Sequence, residues 1–224
     1  MYRLYYYPGN ANLAPHILLE EIGADYELVL VDRNKNEHKS PEYLKLNPAG
    51  RIPVLIDGGL VLYESAAICL HLADRHAGAG LAPALGSNER AQFYKWLVYL
   101  TNTLQAELML YFYPERLADD AAAAAQIKAH AESRTGDMLD LIEAALATGP
   151  GPFLLGAQYR AVDPYLLMLC RWTRGMRNPA RNRPHLVRFL ETMLARPETQ
   201  VVPSVQRRSR SLPFRSPASA ACAA

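Results

Sequence analysis

Three short segments in the first 65 residues contain groups that could bind and activate a small ligand. Ile52-Pro53 opens a β-prone run, while Asn10-Ala11-Asn12 and Glu64-Ser65 each stand just before a helical pattern. Binding and catalytic residues are concentrated at such junctions, which a rigid scaffold positions. Each segment has a structural and a functional interpretation.

Ile52-Pro53 would offer a backbone partner to a ligand. Proline has no N–H and cannot donate to a sheet ladder. If the bond between the two residues is cis, the chain turns sharply and leaves the N–H and C=O of Ile52 free. These groups could then pair with a peptide-like ligand as an added strand. The other interpretation is an edge proline that only blocks extension of the sheet, and the sequence leaves both open.

Glu64-Ser65 would suit the head group of an amino acid. Both residues are ordinary at the start of a helix, where they cap unpaired N–H groups. The same N–H groups and the helix dipole also attract a carboxylate. The side chain of Glu64 could meet an ammonium group beside it. The pair therefore predicts either plain capping or a site for an α-amino acid.

Asn12 and Tyr6 are candidates for stabilising an ionised thiol, although Asn12 is also a good N-cap and Tyr6 could equally be packed under the sheet. A helix N-terminus lowers the pKa of a nearby thiol. Lowering that pKa from about 8.5 to about 6.5 requires roughly 2.7 kcal/mol. The dipole supplies at most about 2 kcal/mol. Hydrogen bonds from Asn10, Asn12 or Tyr6 would have to supply the rest.

The order of the predicted elements defines the scaffold that positions these segments. Residues 1–77 contain strand and helix patterns in the order β-α-β-α-β-β-α, which predicts one small α/β domain. A Gly/Ala/Pro-rich linker covers residues 78–86. Residues 87–196 carry only helical patterns and predict an all-α domain. The predicted strands cover residues 2–7, 26–32, 52–56 and 60–63, and the later helices residues 88–113, 121–147, 163–176 and 184–195.

The charge balance excludes nucleic-acid binding as the main function. The chain has 224 residues, with 24 Lys and Arg against 22 Asp and Glu, a net charge of +2. Residues 197–224 hold four arginines and one acid, a net +3, which leaves −1 for the body of the chain. Nucleic-acid binding depends on clustered cations. The Pro- and Ser-rich tail over 197–224 predicts disorder, with a basic segment that touches a membrane or RNA as the alternative.

Cysteine and histidine spacing gives no sign of a metal site. The three cysteines, Cys69, Cys170 and Cys222, form no CxxC pair, and the six histidines show no ligand spacing. We therefore expect no metal and a reducing, cytoplasmic setting. No apolar run approaches the roughly 18 residues that span a bilayer, and the N-terminus lacks the apolar region of a signal peptide.

The combination of these motifs resembles a known family. YYYPGNANLAPHILLEE, NPAGRIPVL and YESAAICLHLADR, in that order and followed by an all-helical half, resemble the bacterial glutathione S-transferases over about residues 1–196. The pattern is most similar to the beta-like group of proteobacteria. The resemblance implies a thioredoxin-like N-terminal domain, a helical C-terminal domain and a homodimer, with glutathione as co-substrate.

The resemblance also implies roles for single residues. Ile52 and Pro53 would pair with the cysteinyl backbone of glutathione, and Glu64 and Ser65 would hold its γ-glutamyl group. Lys35 lies where the family often places a cation for the glycyl carboxylate. Other cations compete for that last role: Arg33, His38, Lys39 and Arg51.

Several positions depart from the family pattern. Ala11 stands where the beta-like group has its cysteine, so mixed-disulfide chemistry is lost there. Asn12 stands where a serine is common, and Tyr6 aligns with the catalytic phenol of tyrosine-type branches. We favour Asn12 over Tyr6 as the donor to the thiolate. Arg160 stands where a Ser or Thr cap is usual, three residues before Asp163.

The sequence thus predicts a glutathione transferase of the detoxification type. It would activate the thiol of glutathione as a thiolate, without a metal, for attack on an electrophilic small molecule. Two alternatives share the glutathione site. One is a protein of the same fold that binds without turnover, and the other is a glutathione-dependent isomerase or dehalogenase.

Overall fold

The structure, a computed structural model, describes residues 1–209. The chain forms two compact units. The first contains residues 1–79 together with the segment that begins at Arg196, and the second runs from Gly80 to Ala195. Among the described residues, no helix is long and apolar enough to cross a membrane.

The first unit is built on a four-stranded sheet in the order β2-β1-β3-β4. β1 and β2 are parallel, whereas β3 is antiparallel to both β1 and β4. A tight turn with Gly58 at φ +57° joins β3 to β4, as Gly-rich hairpins require. The predicted α/β arrangement is therefore confirmed. The strands are β1 (Tyr2–Tyr6), β2 (Tyr26–Leu30), β3 (Val54–Asp57) and β4 (Leu60–Tyr63).

Within residues 1–79, the sheet is accompanied by the α-helices α1 (Leu13–Glu21), α2 (Pro41–Leu44) and α3 (Ser65–Arg75). α1 packs against α3. α2 begins as its sequence predicts, because the hydroxyl of Ser40 accepts a hydrogen bond from the N–H of Tyr43 at 3.2 Å. A buried cluster connects α2 and the loop before β3 to the sheet; its members are Tyr5, Val29, Val31, Tyr43, Ile52 and Val54.

The segment after Arg196 differs from the sequence prediction. Disorder was expected over 197–224, but Pro197–Ser209 forms a helix, called α9 below, that packs on α1 and β2. Val202 is fully buried, and Arg196 makes a two-pronged ion pair with Glu21 at 2.8 and 2.6 Å. The amino-acid composition did not predict this helix, because Pro203 lies inside it and because the helix is buried only through contacts with α1 and β2. Residues 210–224 of the predicted tail lie outside the described residues.

The second unit is helical throughout its regular structure, as the sequence predicts. The predicted helix over 88–113 is divided, because a π-helical stretch at Leu100–Gln105 separates two α-helical parts. Residues 173–176 leave the predicted third helix and form a tighter turn. The helices are α4 (Asn88–Tyr99), α5 (Ala106–Phe112), α6 (Ala121–Thr148), α7 (Val162–Trp172) and α8 (Pro184–Ala195).

Asp163 is the buried acid that organises the start of α7. Its carboxylate accepts hydrogen bonds from the backbone N–H of Leu154 at 2.9 Å and of Arg160 at 2.7 Å. The side chain is fully buried. The guanidinium of Arg160 donates to the carbonyl of Gly80 and to Gln158. Arg160 therefore lacks the hydroxyl of a usual cap, but its guanidinium binds Gly80, the first residue of the second unit.

Replacement of Asp163 by alanine should destabilise the protein. The Asp163→Ala change leaves two N–H groups without their acceptor, and we expect a loss of about 2–4 kcal/mol in the free energy of unfolding. Urea denaturation measures this loss. Asp137→Ala, at an exposed position on α6, is the matched control and should change stability by less than about 0.5 kcal/mol. Equal effects of the two changes would contradict this account of Asp163.

Candidate functional site

The strand register brings the candidate segments to one edge of the sheet. Val54, the first residue of β3, pairs with Tyr5 on one side and with Tyr63 on the other. The end of β1, the start of β3 and the end of β4 therefore meet at this edge. Because β2 is parallel to β1, β2 ends at the same edge, and the turn that contains Lys35 begins there.

The loop before β3 has the conformation that the functional interpretation requires. The Ile52-Pro53 peptide bond is cis, and β3 begins two residues later than predicted. Among the hydrogen bonds of the described residues, none uses the backbone N–H or C=O of Ile52. The side chain of Ile52 is buried in the cluster around Tyr43. The residue is thus anchored by its side chain while both backbone groups remain available to a ligand.

The carbonyl just before Ile52 is held by two side chains that the sequence analysis did not single out. The hydroxyl of Tyr43 and the Nδ2 of Asn47 each donate to the carbonyl oxygen of Arg51 at 2.8 Å. The Oδ1 of Asn47 accepts from the N–H of Ala49 at 3.0 Å. Burial raises the pKa of Tyr43, so its hydroxyl keeps the proton that it donates. The only sequence feature that points to this arrangement is the Asn47-Pro48 pair at the start of the NPAGRIPVL segment, since Asn-Pro favours a turn.

Glu64 adopts a backbone conformation that is rare for its residue type. Its φ is +70° and its ψ +113°, a combination that costs a residue with a side chain about 1–3 kcal/mol. Its carboxylate is exposed and makes no capping hydrogen bond to α3. Ser65, the first residue of the helix, is buried. Plain side-chain capping by Glu64 is therefore absent, and its charge lies beside the N-terminus of α3.

Asn12 precedes α1 but does not cap it with its side chain. The Oδ1 atom instead accepts a hydrogen bond from the N–H of Tyr7 at 3.2 Å, which links the end of β1 to the helix. The Nδ2 atom is buried and has no partner among the described residues. A buried donor without an acceptor lowers the free energy of unfolding by about 1–3 kcal/mol. The Nδ2 of Asn12 could therefore donate a hydrogen bond to a ligand.

Tyr6 and Asn10 occupy different environments in the same region. Tyr6 is 0% exposed, and strand alternation directs it to the face opposite Tyr5 and the cluster around Tyr43. Asn10 is partly exposed, and its Oδ1 accepts from a guanidinium nitrogen of Arg33 at 3.0 Å. Arg33 thus fixes the turn before α1.

Lys35 is a highly exposed member of the predicted binding residues. Its side chain is 74% exposed, and its Nζ lies 3.7 Å from a carboxylate oxygen of Asp32. Lys39 instead donates to the carbonyl of Ala49 at 3.4 Å. Burial and the neighbouring cations Arg33 and Lys39 lower the pKa of His38, so its ring is the weakest candidate for a permanent positive charge.

Comparisons with known proteins match both units. A family model described as the N-terminal domain of glutathione S-transferase matches residues 1–74. The chain is 30% identical over 200 residues to glutathione S-transferase GstA of Escherichia coli O157:H7, a match that covers 88% of this chain and 95% of that protein.

Solved structures of similar proteins agree with this match. A glutathione transferase homologue from Sulfitobacter with bound glutathione has a TM-score of 0.83 at 28% identity, and the match covers 92% of this chain and 98% of that one. The beta class enzyme of Sphingomonas chungbukensis has a TM-score of 0.79 at 27% identity, over 91% and 98% of the two chains. Since matches to named glutathione S-transferases extend over nearly their whole length, the chain belongs to the glutathione S-transferase family.

Proposed function

We propose that this protein binds glutathione at the edge where β1, β3 and β4 meet and converts its thiol to a thiolate. The thiolate attacks an electrophilic small molecule and forms a carbon–sulfur bond, either displacing a leaving group or adding to a double bond. The observation that carries the proposal is the unused backbone N–H and C=O of Ile52 next to cis-Pro53. An extended peptide needs such a donor and acceptor pair in order to align along a sheet edge. Glutathione is a peptide that supplies the complementary pair.

The remaining anchors suit the two ends of glutathione. In this proposal Ile52 and Pro53 hold the cysteinyl backbone, while Ser65 and the N-terminus of α3 bind the γ-glutamyl carboxylate. The exposed carboxylate of Glu64 binds the ammonium of the same group. Lys35 binds the glycyl carboxylate; its long exposed side chain has the reach and freedom that this role needs.

Asn12 is our candidate for the donor that stabilises the thiolate, in preference to Tyr6. Its Nδ2 has no partner among the described residues, and it stands where the dipole of α1 favours negative charge. Tyr6 lies fully buried within the sheet. Asn12 is 0% exposed in the free protein, so glutathione binding must make this amide accessible.

The setting and the assembly are part of the same proposal. The similarity to a beta class enzyme supports membership of the beta-like group. With Ala11 in place of the cysteine of that group, the protein would lack mixed-disulfide chemistry. A homodimer is supported by three exposed apolar residues on the edge strand β4, namely Leu60, Val61 and Tyr63. A reducing cytoplasm and a role in detoxification complete the proposal.

The thiol of Cys170 takes no part in the proposed chemistry. Burial raises the pKa of Cys170 to about 12, so the thiol stays protonated and unreactive at neutral pH.

The wild-type protein tests the function directly. Glutathione should bind with a dissociation constant of millimolar or below in calorimetry, and an activated aryl chloride should be conjugated at a rate proportional to enzyme concentration. Binding without conjugation of any of several electrophile classes would favour a non-catalytic protein of this fold. Absence of binding by folded protein would contradict the proposal.

Removal of the Asn12 amide should weaken thiol activation. We expect Asn12→Ala to raise the apparent pKa in the pH profile of kcat/KM for the electrophile, measured at saturating glutathione, by about one unit, because about 1.4 kcal/mol of thiolate stabilisation is lost. If the pKa rises from about 6.5 to about 7.5, activity at pH 6.5 should fall roughly fivefold. Tyr6→Phe should leave that pKa unchanged.

The Asn12→Asp variant distinguishes a role of Asn12 in stabilising the thiolate from a role in maintaining the fold. The aspartate can still accept from the N–H of Tyr7, but it replaces the donor with a negative charge. We expect a larger rise in the apparent pKa than for Asn12→Ala. An unchanged pH profile in a folded Asn12→Asp protein would show that Asn12 acts only on the fold.

Glu64 should contribute to affinity at a cost in stability. Glu64→Gln keeps the shape and removes the charge, so the dissociation constant of glutathione should rise about tenfold in calorimetry. Glu64→Gly should bind as weakly or more weakly, yet unfold at higher urea, since glycine adopts positive φ without strain. Glu42→Gln, at an exposed position on α2, is the control and should bind normally. A normal affinity in Glu64→Gln would remove Glu64 from the site.

A further inference from the structure

We propose that Tyr43 and Asn47 are positioning residues that set the affinity for glutathione without touching it. Both donate to the carbonyl oxygen of Arg51 at 2.8 Å. That oxygen belongs to the peptide group whose N–H is the amide of Ile52. The inference rests on the proposed function, in which this amide pairs with the cysteinyl backbone of glutathione.

Peptide geometry transmits the effect. The carbonyl of Arg51 and the N–H of Ile52 share one planar group and point in opposite directions. Fixing the oxygen on one side of the chain therefore fixes the direction of the N–H on the other. With the carbonyl released, the peptide plane could rotate, and ordering it again would oppose binding.

Both donors are themselves held in place by buried contacts. Tyr43 is 0% exposed, its ring lies edge-on to that of Tyr5 at 6.0 Å between centroids, and its backbone N–H is bound by Ser40. Asn47 is 2% exposed. Its Oδ1 is occupied by Ala49, and its backbone N–H donates to the carbonyl of Tyr43 at 3.0 Å.

These contacts define an indirect role in binding. The hydroxyl of Tyr43 and the amide of Asn47 are already engaged with the carbonyl of Arg51, so the inference needs no contact of either side chain with the ligand. Because each has a second contact that fixes its orientation, the two donors form a pre-set pair on one acceptor. Such a pair predicts strong non-additivity: after loss of one donor the other still holds the carbonyl, whereas loss of both releases it.

The test compares Tyr43→Phe, Asn47→Ala and the double variant by calorimetry with glutathione and with S-methylglutathione. The second ligand has no ionisable thiol, so its affinity does not depend on stabilisation of a thiolate. We expect each single variant to bind both ligands about two- to threefold more weakly and the double variant to bind them at least twentyfold more weakly. In steady-state kinetics KM for glutathione should rise in parallel, while kcat stays within twofold.

Tyr5→Phe is the matched control. It removes a buried hydroxyl from the ring that packs against Tyr43, in the same cluster, and leaves both donors to the carbonyl of Arg51 in place. We expect its stability to change and its affinity for glutathione to remain normal. An increase in the dissociation constant as large as that of Tyr43→Phe would mean that any loosening of the core weakens binding, and would overturn the inference.

A second measurement covers the case in which the double variant does not fold. In the folded Tyr43→Phe protein, hydrogen exchange at the Ile52 amide should be faster than in the wild type. An unchanged exchange rate, or unchanged affinity in a folded double variant, would overturn the inference. If instead the wild type fails to bind either ligand, it is the proposed function that fails, and the two failures are therefore distinguishable.

Discussion

The peptide group between Arg51 and Ile52 is held on its carbonyl side and unused on its amide side, and the candidate site is arranged around it. Two buried donors fix the oxygen, and the Ile52 side chain is packed in the core. The peptide group therefore has little freedom, although its N–H remains available. Such pre-organisation favours binding, because ordering that would otherwise oppose association is completed on folding.

The same packing connects the site to the rest of the first unit. Tyr43, which holds the carbonyl of Arg51, belongs to the cluster that also buries Tyr5 and Val54. The register of β1, β3 and β4 then fixes where the chain leaves the sheet toward α1 and α3. A positive φ at Glu64 sets the direction of entry into α3. The backbone geometry at this edge thus depends on core packing several residues away.

Local sequence signals predicted the scaffold and named the residues of the candidate site. Pro53 left a cis bond and a plain edge proline equally open, and the structure has the cis bond. The Glu64-Ser65 pair predicted the start of α3, because such a signal needs only adjacent residues. The partners of Tyr43 and Asn47 could not be predicted, since their acceptor is a backbone carbonyl that carries no residue identity. The orientation of Asn12 depends on the N–H of Tyr7. The helix after Arg196 depends on an ion pair with Glu21, 175 residues away in sequence.

The most direct test of the central claim is the amide proton resonance of Ile52 during a titration of the wild-type protein with glutathione. Formation of a hydrogen bond from this N–H to the ligand predicts a downfield shift that saturates with the calorimetric dissociation constant, together with slower hydrogen exchange at the same amide. Saturable binding of glutathione that leaves the Ile52 amide unshifted and its exchange unchanged would contradict the account.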